Sequence, residues 1–150
     1  MELKPIGVIH SPYKEKKDAP RQGRLSDNEI RLEIYPEFSD GLQSIERVSH
    51  LIILYWGHLA DRNVLQTVTP FSPEVTGVFA CRSPNRPNPL AFCIADLIRR
   101  DGNVLTVRGV DALDGSALLD IKAYSGMLDS IPEAVIGWQK AQKDGEKADE

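Results

Sequence analysis

The hydrophobic and polar positions of this chain fall into short runs that predict β-strands. Glu29 to Ile34 alternates polar and apolar residues, which is the period of a half-buried strand. Apolar runs of strand length occur at Ile6 to His10, His50 to Trp56, Leu90 to Leu97 and Val104 to Val110. Because these runs are short and separated by turn-forming residues, the pattern favours a mainly β chain.

Turn and helix signals complete the predicted order of elements. Asp101-Gly102, flanked by apolar runs, predicts a hairpin, and Asp114-Gly115 predicts a type I′ turn. Short helices are predicted at Gly41 to Ile45 and at Pro132 to Lys143, where proline suits the first turn. With an apolar segment leading into Asp120 to Tyr124, the chain has six or seven short strands and no alternation of strands with helices. The predicted fold is a mainly β, antiparallel, barrel-like single domain with one or two short helices, unlike a Rossmann fold.

The segment from Gly77 to Pro89 is the most unusual stretch of the chain. Its apolar start, Val78 to Cys81, predicts a buried strand, and the rest carries three prolines and two arginines. Proline fixes its own φ and restricts the preceding residue, so a stiff, extended loop is expected. Arg82 and Arg86 then present guanidinium groups suited to carboxylates or phosphates. The alternative interpretation is that both arginines pair with structural carboxylates.

Length and charge narrow the class of protein. A chain of 150 residues fits one domain with a sizeable core. A net charge of −4 and a pI near 5.4 argue against a broad basic surface for nucleic acid, but they leave room for a local basic groove. Cys81 and Cys93 form no metal-ligand pattern, so no metal is expected. No signal peptide or transmembrane run is recognisable, so a cytoplasmic protein without membrane contact is expected.

The sequence lacks the motifs of several common enzyme classes. It has no Gly-x-Gly-x-x-Gly after a strand, no P-loop, no paired Cys or His spacing for zinc and no nucleophile elbow. Polar loops at strand ends are therefore the candidate binding or catalytic sites. These loops are Pro20 to Gln22, Gly57 to Leu59 together with Arg82 to Pro89, and Asp111 to Tyr124. Each loop also has a purely structural interpretation. The first can be a solvated charged loop, the second can contain a histidine, His58, with a structural role, and the third can be a plain Asp-Gly turn.

Three motifs connect these loops to a known family. Pro20-Arg21-Gln22, Thr76 to Leu90 and Leu113 to Tyr124 together resemble the TsaA-like family, which includes the TrmO tRNA methyltransferases. The resemblance implies a β-barrel-like fold that binds S-adenosylmethionine outside the Rossmann framework, commonly as a homodimer. It also implies methylation of N6 of a threonylcarbamoyl-modified adenosine beside the anticodon of tRNA. Residues 1–137 are accordingly predicted to form the methyltransferase domain, and residues 138–150 a charged C-terminal tail.

The resemblance also implies which residues bind cofactor and substrate. The implied contacts with S-adenosylmethionine are Pro20, Arg21, Gln22, His58, Leu59, Arg82, Phe92, Asp111, Asp114, Gly115, Ser116 and Ala117. Arg82 or Arg21 is expected to pair with the methionine carboxylate of the cofactor, because a guanidinium can do so bidentately. Arg86 and Asn88 are expected to contact the substrate. Arg86, with the basic loop from Lys14 to Arg24, is expected to follow RNA phosphates.

The predicted reaction needs few catalytic groups. Methyl transfer from a sulfonium is an in-line displacement that depends on positioning and requires no metal. An adenine N6 amine is a poor nucleophile, so a group that accepts its proton would help. Asp120 and Tyr124 are the residues predicted to orient the acceptor, with Lys122 near a phosphate or carboxylate.

The chain departs from the family pattern at two places, which keep other functions open. Leu90 to Cys93 reads Leu-Ala-Phe-Cys where the family usually has Ile-Gly-hydrophobic-Ser, and Ala123 replaces a proline. Ala91 in place of glycine narrows the space in which the backbone approaches a ligand. The alternatives are a methyltransferase for a small metabolite and a non-catalytic module that binds the cofactor or a nucleotide.

Overall fold

The computed structural model describes residues 1–139, which form a small β-barrel. The strands are β1 (Gly7–His10), β2 (Glu29–Ile34), β3 (His50–Trp56), β4 (Gln66–Val68), β5 (Val75–Gly77), β6 (Leu90–Asp101), β7 (Val104–Arg108) and β8 (Ala117–Ala123). Six of them close in the order β1-β2-β7-β6-β3-β8, and β4 and β5 form a separate two-stranded ribbon. The helices are α1 (Gly126–Asp129) and five short 3-10 helices, Lys16–Asp18, Gly23–Leu25, Pro36–Leu42, Ile45–Arg47 and Val78–Ala80.

The predicted mainly β, antiparallel, barrel-like fold is confirmed, and its core follows from strand periodicity. All pairings within the barrel are antiparallel. Every second residue of β2 points inward, and its inward side chains, Ile30, Leu32 and Ile34, are almost completely buried. In β3 the inward residues are Leu51, Ile53 and Tyr55. Because side chains fill the barrel interior, a ligand-binding site is expected at the barrel ends or on the outer wall.

The antiparallel topology gathers the three predicted loops at one end of the barrel. Residues 11–28 connect β1 to β2, residues 57–89 connect β3 to β6, and residues 109–116 connect β7 to β8. All three connections leave the barrel at the same end, which we call the loop end. The opposite, hairpin end carries the connection from β2 to β3 and the turn between β6 and β7.

Both Asp-Gly pairs form turns, but the type I′ geometry predicted for Asp114-Gly115 is wrong. A type I′ turn needs positive φ at both central residues, whereas here only Gly115 has positive φ, at 83°. The Ser116 N–H donates to the Leu113 carbonyl over 3.1 Å, so the glycine is the third residue of a turn with a type II pattern. At the β6–β7 hairpin, Gly102 has a φ of 62°.

Three local predictions are corrected by the structure. The predicted strand at Val78 to Cys81 is instead a 3-10 helix, Val78–Ala80, because the Val78 and Cys81 carbonyls accept from Arg86 rather than from a neighbouring strand. The helix predicted at Gly41 to Ile45 is replaced by two 3-10 helices, since Ser44 adopts a left-handed conformation with a φ of 72°. The segment from Pro132 to 139 forms turns instead of a helix. The remainder of that predicted helix and of the predicted charged tail lies outside the described residues, and the domain boundary at residue 137 stays a prediction.

Two further features can be judged from residues 1–139. Within this range no helix is long and apolar enough to cross a membrane. Nor do the described residues bring three or more His, Cys, Asp or Glu side chains together as a metal site.

Candidate functional site

The loop end brings together most of the residues predicted to bind the cofactor. Ten of them lie in its three connections, and Phe92 and Ala117 lie near the first residues of β6 and β8. His58 and Leu59 are exposed at the end of β3, where a ligand can reach them. Arg21 and Gln22 are also exposed, and Pro20 is half-buried. The loop end therefore offers polar, cationic and apolar groups in one region.

Backbone contact between two glycines joins the first connection to the third. A Cβ atom on Gly23 would lie 2.0 Å from the carbonyl oxygen of Gly109, so only glycine allows the two chains to approach this closely. Gly109 itself has a φ of 104°, which also favours glycine. The neighbouring Arg24 donates to the carbonyl of Ile94 in β6 over 3.2 Å. These contacts hold the Pro20–Gln22 segment beside the β7–β8 connection and β6.

Arg82 lies against the start of β6. Its guanidinium carbon lies 5.2 Å from the centre of the Phe92 ring, and its Nη2 donates to the Phe92 carbonyl over 3.4 Å. Phe92 points outward from the barrel and is 42% exposed. Cation–π contact and a single long hydrogen bond hold the side chain near β6 while leaving other donors for a ligand.

Arg86 has a different environment from Arg82. Its guanidinium donates to the carbonyls of Val78, Cys81 and Ser83, all within its own loop. These bonds replace the backbone partners that a strand would have supplied, so Arg86 stiffens the loop from inside. Contact between Arg86 and a substrate stays a prediction.

Arg62 attaches the proline-rich loop to the end of β3. It donates to the Pro87 carbonyl over 2.7 Å and to Asn88 Oδ1 over 3.3 Å, and its guanidinium lies 5.1 Å from the Trp56 ring centre. Asn88 is thus engaged with Arg62 in this structure. The predicted contact between Asn88 and substrate is untested. Sequence analysis did not single out Arg62, since it lies in a connection of mixed composition.

Asp114 secures the turn between β7 and β8 to the first connection. Its Oδ1 accepts from the Ser11 N–H over 2.9 Å and its Oδ2 from Lys14 Nζ over 2.6 Å. The Gly115 N–H donates to the Ile9 carbonyl, and the hydroxyl of the buried Ser116 donates to Leu113. The turn is therefore locked by its own contacts.

We expect the ion pair of Asp114 to make stability depend on pH. Hydrogen bonds from Lys14 and from the Ser11 N–H lower the pKa of Asp114. A carboxyl group with a lowered folded-state pKa stabilises the fold above its unfolded-state pKa, and this contribution is lost as the pH falls through the folded value. Urea unfolding should show Asp114→Asn to be less stable than wild type at pH 7, with the difference gone at a pH below the folded-state pKa of Asp114. An equal difference at both pH values would contradict this role.

Asp111 lies in a cluster with two buried side chains from different strands. The Tyr55 hydroxyl donates to Asp111 Oδ1 over 2.6 Å, and Cys93 Sγ lies 3.0 Å from the same oxygen. Tyr55 is 9% and Cys93 6% exposed. Burial, reinforced by the charge of Asp111, raises the pKa of both Tyr55 and Cys93. Both groups therefore remain protonated donors at neutral pH.

The three residues predicted to be catalytic lie away from the loop end. Asp120 and Lys122 face outward from β8 and pair with each other over 3.3 Å. Tyr124 follows the last residue of β8 at the hairpin end, where its N–H donates to the His50 carbonyl. At about 3.3 Å per residue, Ala117 and Tyr124 are separated by roughly 23 Å. The structure therefore does not bring this group together with the loops predicted to bind the cofactor, and its catalytic role stays a prediction.

Trp138 contacts the start of the proline-rich loop and the segment before it. The indole N–H of Trp138 donates to the Ala80 carbonyl over 2.9 Å, and its ring meets Phe71 edge-on. Trp138→Phe keeps an aromatic ring but removes the donor, so we expect a loss of about 1 kcal/mol in the free energy of unfolding. Chemical denaturation at neutral pH measures this loss. An unchanged midpoint would mean that the bond to Ala80 does not stabilise the loop.

Comparison with known proteins places this arrangement in a family. The model of the tRNA-methyltransferase O N-terminal domain matches residues 8–130. The chain belongs to the TrmO family. The match spans the barrel and includes all three loop-end connections.

Relatives of this TrmO-family chain are similar to it over most of its length. A probable S-adenosyl-L-methionine-binding protein of Archaeoglobus fulgidus is 51% identical over 92% of the chain, which spans 38% of that relative. An S-adenosyl-L-methionine-binding protein of the same organism is 49% identical over 87% of the chain and 94% of its own length. The tRNA (adenine(37)-N6)-methyltransferase of Escherichia coli is 33% identical over 98% of the chain and 67% of its own length.

Solved TrmO structures share the fold. A crystal structure of TrmO from Pseudomonas aeruginosa superposes with a TM-score of 0.77 and 33% identity, covering 91% of this chain and 61% of that one. Another TrmO crystal structure gives a TM-score of 0.76 at 34% identity, covering 94% of this chain and 63% of the other. The present chain therefore spans about three-fifths of these solved TrmO chains.

Proposed function

We propose that this TrmO-family chain is a methyltransferase that uses S-adenosylmethionine to methylate N6 of a threonylcarbamoyl-modified adenosine beside the anticodon of tRNA. The observation that carries the proposal is the convergence of three family motifs at one end of the barrel. The names of the relatives support the cofactor, and the name of the Escherichia coli relative supports the substrate.

The proposed cofactor site uses the groups exposed at the loop end. Arg82, with Arg21 as the second candidate, binds the methionine carboxylate, because a guanidinium matches two carboxylate oxygens. Leu59 and Phe92 are 51% and 42% exposed and offer apolar surface to the adenine ring or the methionine chain. The Asp114-Gly115 turn closes the pocket on the side of β8.

The reaction needs a fixed geometry rather than a metal. The acceptor nitrogen, the methyl carbon and the sulfur must lie in line, and holding them so supplies much of the barrier reduction. The loop end is suited to this task because its connections are held to one another and to the barrel. Gly23 contacts Gly109, Arg62 binds Pro87, and Asp114 binds Ser11.

The proposed contact with tRNA is local. The chain carries a net charge of −4, so a broad basic surface is not the source of affinity. The first loop-end connection nevertheless contains five basic residues between Lys14 and Arg24 against two acidic ones. Such a loop can follow phosphates while base-specific contacts are made in the pocket. Cytoplasmic tRNA is the proposed partner.

We also propose a homodimer, formed through the outer wall beside the cofactor site. The outward residues of β3 and β6 are mainly apolar and include Ile52, Leu54 and Ile94. Apolar side chains on the outside of a barrel are typical of a surface that a second copy covers. Sedimentation equilibrium tests this, with a mass twice 16.7 kDa expected.

Incubation of the protein with methyl-labelled S-adenosylmethionine and tRNA tests the function. Label is expected in the N6-methylated form of the threonylcarbamoyl adenosine, identified by mass spectrometry of digested nucleosides. Label found instead in small molecules of a cell extract, with none in tRNA, would favour the metabolite methyltransferase suggested by the acidic composition. Tight cofactor binding with no transfer would favour a binding module, the activity that the names of the archaeal relatives describe.

A further inference from the structure

Asp111 is a carboxylate whose position is set by two buried donors. Tyr55 comes from β3 and Cys93 from β6, and both approach Oδ1 of Asp111, at 2.6 and 3.0 Å. The two strands are paired, so their side chains hold the carboxylate between them at the loop end. Because both contacts converge on Oδ1, the second oxygen, Oδ2, takes no part in this pair of bonds.

The cluster determines which of its members can take up a proton. Burial keeps Tyr55 and Cys93 protonated, as their raised pKa values indicate. Donors held in this way orient the carboxylate but cannot accept a proton themselves. Asp111 is the member of the cluster that can accept one.

The cluster lies at the same end of the barrel as the proposed cofactor site. Cys93 follows Phe92, whose ring and carbonyl both contact Arg82. Asp120 and Tyr124, by contrast, lie along β8 and at the hairpin end. Of the carboxylates considered for the reaction, Asp111 is the one that lies in a loop-end connection, as Arg82 does.

We propose that Asp111 does not bind the cofactor, contrary to what the family resemblance implies, but is the catalytic residue that accepts the proton of the methyl-acceptor nitrogen, a role that rests on the proposed function. The nitrogen lone pair forms the new N–C bond while the C–S bond breaks. The electron pair of that bond goes to sulfur, which becomes a neutral thioether. The nitrogen loses its proton to Asp111 Oδ2, and the resulting carboxylic acid returns the proton to water. General-base assistance of this kind contributes about 10²- to 10⁴-fold.

Asp111→Asn tests the proposal while preserving the cluster, because the amide oxygen of asparagine can still accept from Tyr55 and Cys93. The full chain is assayed with S-adenosylmethionine and tRNA carrying the threonylcarbamoyl modification. We expect kcat to fall by about 100-fold or more, the lower limit for general-base loss. The dissociation constant for S-adenosylmethionine should change less than about threefold. Asp101→Asn at the β6–β7 hairpin is the matched control and should retain the wild-type kcat.

Other results of these assays would overturn the role of Asp111, the proposed function or both. Full activity of Asp111→Asn, with wild type transferring label to tRNA, would overturn this role and leave the proposed function standing. Weaker cofactor binding at an unchanged kcat would make Asp111 a cofactor ligand and would also overturn it. Loss of kcat in Asp120→Asn alone would return the role to Asp120. A wild-type protein that transfers no methyl group would overturn both the function and the role.

Discussion

Replacement of Arg82 with alanine is expected to weaken the binding of S-adenosylmethionine by about 100-fold. In the proposed site this guanidinium binds the methionine carboxylate, and hydrogen bonds to charged groups contribute roughly 1.5–3 kcal/mol. Each 1.4 kcal/mol corresponds to about a tenfold change in the dissociation constant. Contacts with Phe92 hold the side chain at the start of β6. Calorimetric titration of wild type and variant measures the difference.

Two further variants show whether the effect of Arg82 on cofactor affinity comes from its charge, from the shape of its guanidinium group or from its position at the loop end. Arg82→Lys keeps the charge but loses the planar fork, so an intermediate loss of about tenfold is expected. Arg47→Ala removes an exposed arginine at the hairpin end and should leave the affinity unchanged. Equal affinities for wild type and Arg82→Ala would show that Arg82 is not the carboxylate ligand.

Gly23→Ala is expected to be the most disruptive small substitution at the loop end. The added methyl group would lie 2.0 Å from the Gly109 carbonyl oxygen and 2.9 Å from the Val110 nitrogen, both backbone atoms. Because backbone cannot rotate away as a side chain can, the two connections must separate. Overpacking of this kind costs about 3 kcal/mol. We expect a lower free energy of unfolding in urea and weaker binding of S-adenosylmethionine in the same variant.

Gly41→Ala provides the matched control. A Cβ atom there would meet no atom within 4 Å, and Gly41 does not have positive φ. The same chemical change should therefore be neutral or stabilising by about 0.5 kcal/mol. If Gly23→Ala and Gly41→Ala were equally stable and bound the cofactor equally well, the close approach of Gly23 to Gly109 would not hold the site together.

Sequence periodicity predicts the barrel strands well, because each strand has one face toward the core. The predicted bounds of β2 and β3 are those observed. β6 continues four residues beyond its predicted end at Leu97. An irregularity in the register between Leu97 and Arg99 lets the strand remain paired with β7 through polar residues. Apolar content alone cannot reveal such a continuation.

The sequence motifs predict which loops form the candidate site, but they do not predict the contacts that hold those loops together. The loops converge because antiparallel connections at one barrel end must be neighbours, which element order already implies. The contacts that hold them are nonlocal: Gly23 with Gly109 and Trp138 with Ala80 are far apart along the chain. The sequence analysis grouped Asp120 and Tyr124 with the Asp114 turn in one polar segment, Asp111 to Tyr124. A strand carries residues away from a loop, and β8 does so here.

We propose that S-adenosylmethionine binds at the loop end. Titration of the isotope-labelled protein with S-adenosylmethionine, followed by backbone amide NMR, tests it most directly. We expect the largest shift changes at residues 20–25, 57–59, 81–93 and 109–117, with little change at the β6–β7 hairpin or at Pro36–Leu42. Shift changes concentrated at the hairpin end, or none at millimolar cofactor, would contradict it.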